Sequence, residues 1–125
     1  MSEMSANSRA KILAFASVAE GGTGIALLAV PATVARLLLG ADVSGAPAVL
    51  GRCFGIALLA LALACWPGRT GGGKGSTAVR AMFAYNALIA LYLAYLGTAG
   101  HMTGPLLWPA IALHAIVALL LAFMR

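Results

Sequence analysis

Residues 49–66 read Val-Leu-Gly-Arg-Cys-Phe-Gly-Ile-Ala-Leu-Leu-Ala-Leu-Ala-Leu-Ala-Cys-Trp, and Pro67 follows directly. A single charge, Arg52, stands near the start of the run. A helix rises ~1.5 Å per residue and needs about 20 apolar residues to cross a hydrocarbon core. This run has that length and that apolarity. Its Ala and Leu residues are strong helix formers. Apolar and polar residues do not alternate along it, which excludes a strand of a membrane barrel.

Three further runs of the same kind flank it. They cover 12–30, closed by Pro31, then 78–96, followed by Gly97, and 106–124. The whole chain agrees with them. Its 125 residues are 62% hydrophobic and only 9% charged, against about half and a quarter in soluble domains. The mean hydropathy is +1.00. Three acids, Glu3, Glu20 and Asp42, accompany eight bases. So few charges cannot cover a water-facing surface, so a soluble globular domain and a disordered chain are excluded. The bases flank the apolar runs rather than forming a patch, which argues against nucleic acid as a partner. The expected fold is all-α, a four-helix bundle integral to the lipid bilayer, with residues 1–125 as one domain.

The bases also suggest an orientation. With four spans, Arg9, Lys11, Arg69, Lys74, Arg80 and Arg125 share one side, and Arg36 and Arg52 lie on the other. The positive-inside rule then places both termini in the cytoplasm. A cleaved signal peptide is disfavoured, because Glu20 interrupts the apolar stretch and no small-residue cleavage site follows. Residues 32–40, apolar with one Arg, read either as an extension of the first helix kinked at Pro31 or as a short interfacial segment. Trp66 and Trp108 fall at opposite ends of the bundle, where interfacial aromatic anchors belong.

Helices in lipid gain little by burying Leu against Leu, so close backbone approach must supply the packing. Gly51 and Gly55 form a Gly-x-x-x-Gly pair on the second run. Ser17, Gly21 and Gly24 occupy neighbouring turns of the first. Ala87, Ala90 and Ala94 do so on the third. These stripes suit packing within the protomer or across a homodimer.

The polar residues inside the runs are the candidates for chemistry. Glu20, Asn86 and His114 each lie eight residues in from the edge of their run, at 12, 78 and 106. That is ~12 Å into a core about 30 Å thick, so all three are expected near the midplane. A lone carboxylate there costs roughly 2.5–3.5 kcal/mol on insertion scales, which favours turning Glu20 inward toward His114 and Asn86. Tyr85 precedes Asn86, and Thr23 lies one turn from Glu20. Two readings stand: a proton- or ligand-binding site in the bundle core, or hydrogen bonds that merely join the helices. Arg52 either reaches inward toward Glu20 or extends to lipid headgroups. Tyr85, Tyr92 and Tyr95 share one helix face, as packing or as the wall of an apolar cavity.

Other signals carry less. Residues 68–77 resemble a phosphate-binding loop, but Gly75 stands where Ser or Thr is required and no strand precedes it. A flexible linker beside anionic lipid is the plainer reading. Cys53 and Cys65 are twelve residues apart on one helix, ~18 Å by helical rise, and cannot bridge or share a metal. With two His, no metal or other cofactor is expected.

The stretches Glu20-Gly-Gly-Thr-Gly-Ile-Ala-Leu-Leu, 51–61, Tyr85-Asn86 and Leu106-Leu-Trp-Pro-Ala-Ile-Ala-Leu-His114 resemble those of small four-helix inner-membrane proteins of proteobacteria. In size and layout the chain is similar to the DoxX-like proteins. That resemblance implies a multi-pass protein of the bacterial inner membrane and brings no activity with it. Ala19-Glu20 also resembles the first helix of the small multidrug resistance transporters, which would make Glu20 a coupling carboxylate. Their pattern has no counterpart to His114. Three functions are therefore carried forward. The first is an accessory or assembly subunit of a larger membrane complex. The second is a proton-coupled carrier, working as a homodimer with Glu20 and His114 at mid-membrane. The third, an enzyme, is disfavoured because no nucleophile has a base within reach.

Overall fold

The structure is a computed structural model that describes residues 2–68 and 77–124. Among the described residues it is all-helical, with five helices: α1 (Ser2–Ala29), α2 (Pro31–Leu39), α3 (Ala46–Ala64), α4 (Thr77–Thr98) and α5 (Leu107–Phe123). Segments of α1, α3 and α4 are long and apolar enough to cross a membrane, and α5 is a shorter apolar helix. At 17 residues, α5 extends ~25 Å. The glycine-rich linker, with Arg69 and Lys74, lies outside the described residues, as does Arg125.

Helix α1 starts ten residues before the apolar run expected from 12. Residues 2–11 contain neither Gly nor Pro, and Glu3 sits in the first turn, where a carboxylate complements the helix dipole. At 28 residues, α1 is ~42 Å long and outreaches a hydrocarbon core of about 30 Å.

The break after Ala29 follows from Pro31. A proline disfavours helical geometry in the residue before it, and Val30 has φ −137° and ψ 60°. Pro31 itself starts a new helix, where its missing N–H is no loss. Residues 31–39 are therefore a separate helix, not a continuation of α1. Gly40, in the left-handed region at φ 69°, ends α2 and donates its N–H to the Arg36 carbonyl. Arg36 also forms an exposed ion pair with Asp42 at 2.6 Å.

Two antiparallel hairpins make up the bundle. In the first, Gly21 of α1 faces Ala62 of α3, Gly24 faces Gly55, and Leu27 lies by Gly51. A Cβ on Gly24 would stand 2.7 Å from the Gly55 carbonyl oxygen, and one on Gly55 would stand 2.6 Å from that of Gly24. Only glycine allows the two backbones this close. Gly51 abuts Pro31, with 3.2 Å between its notional Cβ and the proline Cβ. The second hairpin pairs α4 with α5, Gly97 lying against Leu107 and Trp108.

The hairpins meet differently at their two ends. At the end holding the chain termini, Leu13 and Ala16, Cys65, Ala78, Val79 and Met82, and Val117 and Leu121 form a packed core. Arg9 donates to the Met124 carbonyl there at 3.3 Å, across the whole sequence. At the other end, α2 lies under the α4–α5 loop. The Leu106 N–H donates to the Leu37 carbonyl at 2.9 Å, and the Thr103 N–H to the Leu39 carbonyl at 3.3 Å. Gly104 lies flat on Leu38, leaving no room for a side chain. Trp66 and Trp108 are both exposed, one after α3 at the core end and one in the first turn of α5 at the opposite end.

Candidate functional site

Between the packed core and the α2 end, the hairpins separate around a cavity of about 640 Å³. Its walls come from all five helices. Ala26, Val34, Leu38, Phe54, Ile89 and Leu113 supply apolar surface, and Glu20, Thr23, Tyr85 and His114 supply polar groups. A large, mainly apolar cavity with a few convergent polar side chains is the usual form of a small-molecule site.

The polar groups are organised by Asn86. Its Nδ2 donates to the Met82 carbonyl of its own helix at 2.9 Å. A carbonyl can only accept, so the amide is oriented and Oδ1 is left facing outward from that bond. Oδ1 lies 2.8 Å from Nδ1 of His114, and Oδ1 too can only accept. Nδ1 therefore carries the proton, and Nε2 is the acceptor nitrogen of the neutral ring.

Glu20 completes the group. Its Oε1 is 3.5 Å from the same Nδ1, and the Tyr85 hydroxyl donates to its carboxylate. The Tyr85 and His114 rings meet edge to face, with centroids 5.9 Å apart. Glu20 is 2% exposed and Asn86 1%. Three helices thus contribute to one buried polar cluster. Along the helices, His114 lies seven residues in from Leu107, and Asn86 nine residues in from Thr77. The helix that brings Glu20 here is held against α3 by the Gly24–Gly55 crossing, one turn along.

The structure thus brings together Glu20, Tyr85, Asn86 and His114 and leaves Arg52 apart. The Arg52 Nε donates to the Leu28 carbonyl at 3.1 Å on an exposed surface, so it does not reach Glu20. Gly21, Gly24, Gly51 and Gly55 all lie on the α1–α3 contact, within the protomer. Tyr92 lines the cavity two turns beyond Tyr85 and stacks on Tyr95 at 6.4 Å. Cys53 is exposed and Cys65 buried, both as free thiols.

Sequence reasoning missed the α2 wall of the cavity and the loop that holds it. The signal available was Pro31 followed by an apolar segment ending at Gly40, which starts and stops a helix. Ser17, read from the sequence as part of the packing stripe, has a buried hydroxyl with no hydrogen-bond partner among the described residues.

Comparison with known protein families, with curated proteins and with solved structures finds no match to this chain.

Proposed function

We propose that this chain is a small four-span protein of the bacterial inner membrane, with both termini cytoplasmic. In this reading it binds an amphipathic small molecule between its hairpins and couples that binding to protonation of the Glu20–His114 pair. The apolar walls take the ligand body, and the Glu20, Tyr85 and His114 end takes its head. The observation that carries the reading is a carboxylate 2% exposed, 3.5 Å from an imidazole, at the wall of a cavity of about 640 Å³. Simple hydrogen bonding between helices does not require an ionisable pair, nor a cavity beside it.

Transport across the bilayer is the carrier form of this reading, and one copy of the chain already supplies the cavity. The alternative, an accessory subunit of a larger complex, has less behind it. The small-residue stripes of α1 and α3 that favoured it are used within the α1–α3 hairpin. The apolar faces left outside, such as Val49, Leu50, Ile56 and Leu63, suit lipid as well as they suit a partner.

The test is saturable binding of octanol-sized amphiphiles to the protein in nanodiscs, with empty nanodiscs as the reference for partitioning. Ala110 lines the cavity, so Ala110→Phe should narrow it and weaken saturable binding while the protein stays folded. Proton uptake or release on binding, followed with a pH dye, should vanish in Glu20→Gln. Equal binding by parent and Ala110→Phe would overturn the cavity reading.

A further inference from the structure

The hydrogen bonds of the polar end determine what kind of head it can hold. Asn86 has one N–H on the Met82 carbonyl, and the residue is not among those lining the cavity. The His114 Nδ1–H is spent on Asn86 at 2.8 Å. The Tyr85 O–H is spent on Glu20. Thr23 also lines the cavity, and its hydroxyl donates back to the Ala19 carbonyl at 2.9 Å. The donors of His114, Tyr85 and Thr23 are thus engaged inside the protein. What remains unused are acceptors: carboxylate lone pairs on Glu20, the Nε2 lone pair of the neutral His114, and the hydroxyl oxygens of Thr23 and Tyr85. No Lys or Arg is among the described residues lining the cavity.

We infer that the ligand is a lipophilic amine, held through its N–H groups by this acceptor-only end and through its apolar body by the walls. The inference rests on the cavity reading above and narrows it to one head-group chemistry. Two features specify it. A carboxylate with no neighbouring cationic side chain at the wall favours a positively charged head. An array of free acceptors requires that head to carry hydrogen-bond donors, since a donor-lacking cation would leave buried lone pairs unsatisfied. An anionic head meets both like charge and a second set of acceptors. Tyr92, two turns along α4, is a further hydroxyl of the wall but belongs to the apolar stretch near Ile89 and Leu93.

Three probes of equal chain length separate these causes: octylamine, octyltrimethylammonium and octanoate. Each is titrated by calorimetry against the protein in nanodiscs of uncharged lipid, with partitioning into empty nanodiscs subtracted. Octylamine should bind roughly ten-fold tighter than octyltrimethylammonium, the scale of one charge-assisted hydrogen bond, and octanoate should bind weakest. Glu20→Gln, checked for folding by its thermal melt, should weaken octylamine and close its gap to the quaternary probe. If the quaternary probe binds as tightly as the amine, charge alone is being read and the inference fails. If octanoate matches octylamine, the end is not acceptor-only and the inference also fails. Equal saturable binding of all three overturns this inference and leaves the cavity reading standing, whereas no saturable binding of any overturns both.

Discussion

Asn86 sets the tautomer of His114. The amide cannot turn its oxygen toward Met82 without facing carbonyl to carbonyl, so it accepts from Nδ1 at 2.8 Å and donates to Met82 at 2.9 Å. The result is a histidine whose free nitrogen in the neutral ring is Nε2, in a ring 3.5 Å from the Glu20 carboxylate through its other nitrogen. A residue that is itself neither acid nor base thus decides which nitrogen of His114 is available.

The first prediction concerns that tautomer. Nitrogen NMR of histidine-labelled protein should show His114 as a single neutral species with the proton on Nδ1. His101 is exposed and supplies the second histidine signal for comparison. Asn86→Leu removes the acceptor, and His114 should then show a mixture of the two tautomers or the Nε2–H form. A His114 that remains purely Nδ1–H in that variant would assign the tautomer to Glu20 rather than to Asn86.

Glu20 yields a pair of variants with opposite expectations. Glu20→Gln keeps an oxygen to accept from Tyr85 and fills the same space, so thermal stability in detergent should stay close to the parent. Glu20→Ala leaves the half-buried Tyr85 without the acceptor of its hydroxyl and opens a void, at a cost of about 1–3 kcal/mol. Melting temperatures of both variants, measured side by side, check this. A Gln variant as unstable as the Ala variant would mean that the charge itself holds the helices.

Much of this cluster was legible in the sequence, and the reason is geometric. Depth along a helix follows from counting residues, so Glu20, Asn86 and His114 could be placed at one level from the run boundaries alone. Direction around a helix could not. Apart from Arg52 and His114, helices α3 and α5 are apolar on every side, so little in their patterns says which face meets another helix and which meets lipid. Arg52 shows the consequence: its level was readable, but its position on the outer face, beside the Leu28 carbonyl, was not. The joining of the hairpins at the α2 end was equally hidden. It depends on Leu37 and Leu39 accepting from a loop more than sixty residues away, a pairing that no local pattern encodes. Helix α1 begins at Ser2, ten residues before its apolar run. Apolarity marks where a helix enters lipid, not where it begins, and the polar residues 2–11 carry the helix on beyond that point.

The orientation can be tested independently of the site. With Cys53 and Cys65 replaced by Ala, single cysteines are introduced at Ser5 or at Thr98, both exposed. An impermeant thiol reagent on intact cells should label the Thr98→Cys protein and spare Ser5→Cys until the membrane is opened. The reverse pattern would invert the topology. Labelling of both on intact cells would place the two ends of α1 and α4 on one side and break the four-span arrangement.

The final prediction separates two glycines of one helix. A methyl group added at Gly21 would meet Ala62 Cβ at 3.5 Å, an ordinary contact, whereas one added at Gly24 would press on the Gly55 carbonyl oxygen at 2.7 Å. The Gly55 atom is backbone in the middle of α3 and cannot swing aside. Gly21→Ala should therefore be neutral or slightly stabilising, since Ala is the better helix former. Gly24→Ala should force α1 and α3 apart and cost about 1–3 kcal/mol, as overpacking does in a close-packed interior. The displacement should also reach the site, because Glu20 lies one turn from the crossing on the same helix. Gly24→Ala should thus lower the melting temperature in detergent and also disturb the His114 nitrogen signals, with Gly21→Ala changing neither. If the two variants melt together, the Gly24–Gly55 crossing is not what sets the distance between the helices, and Glu20 owes its position to the polar cluster alone.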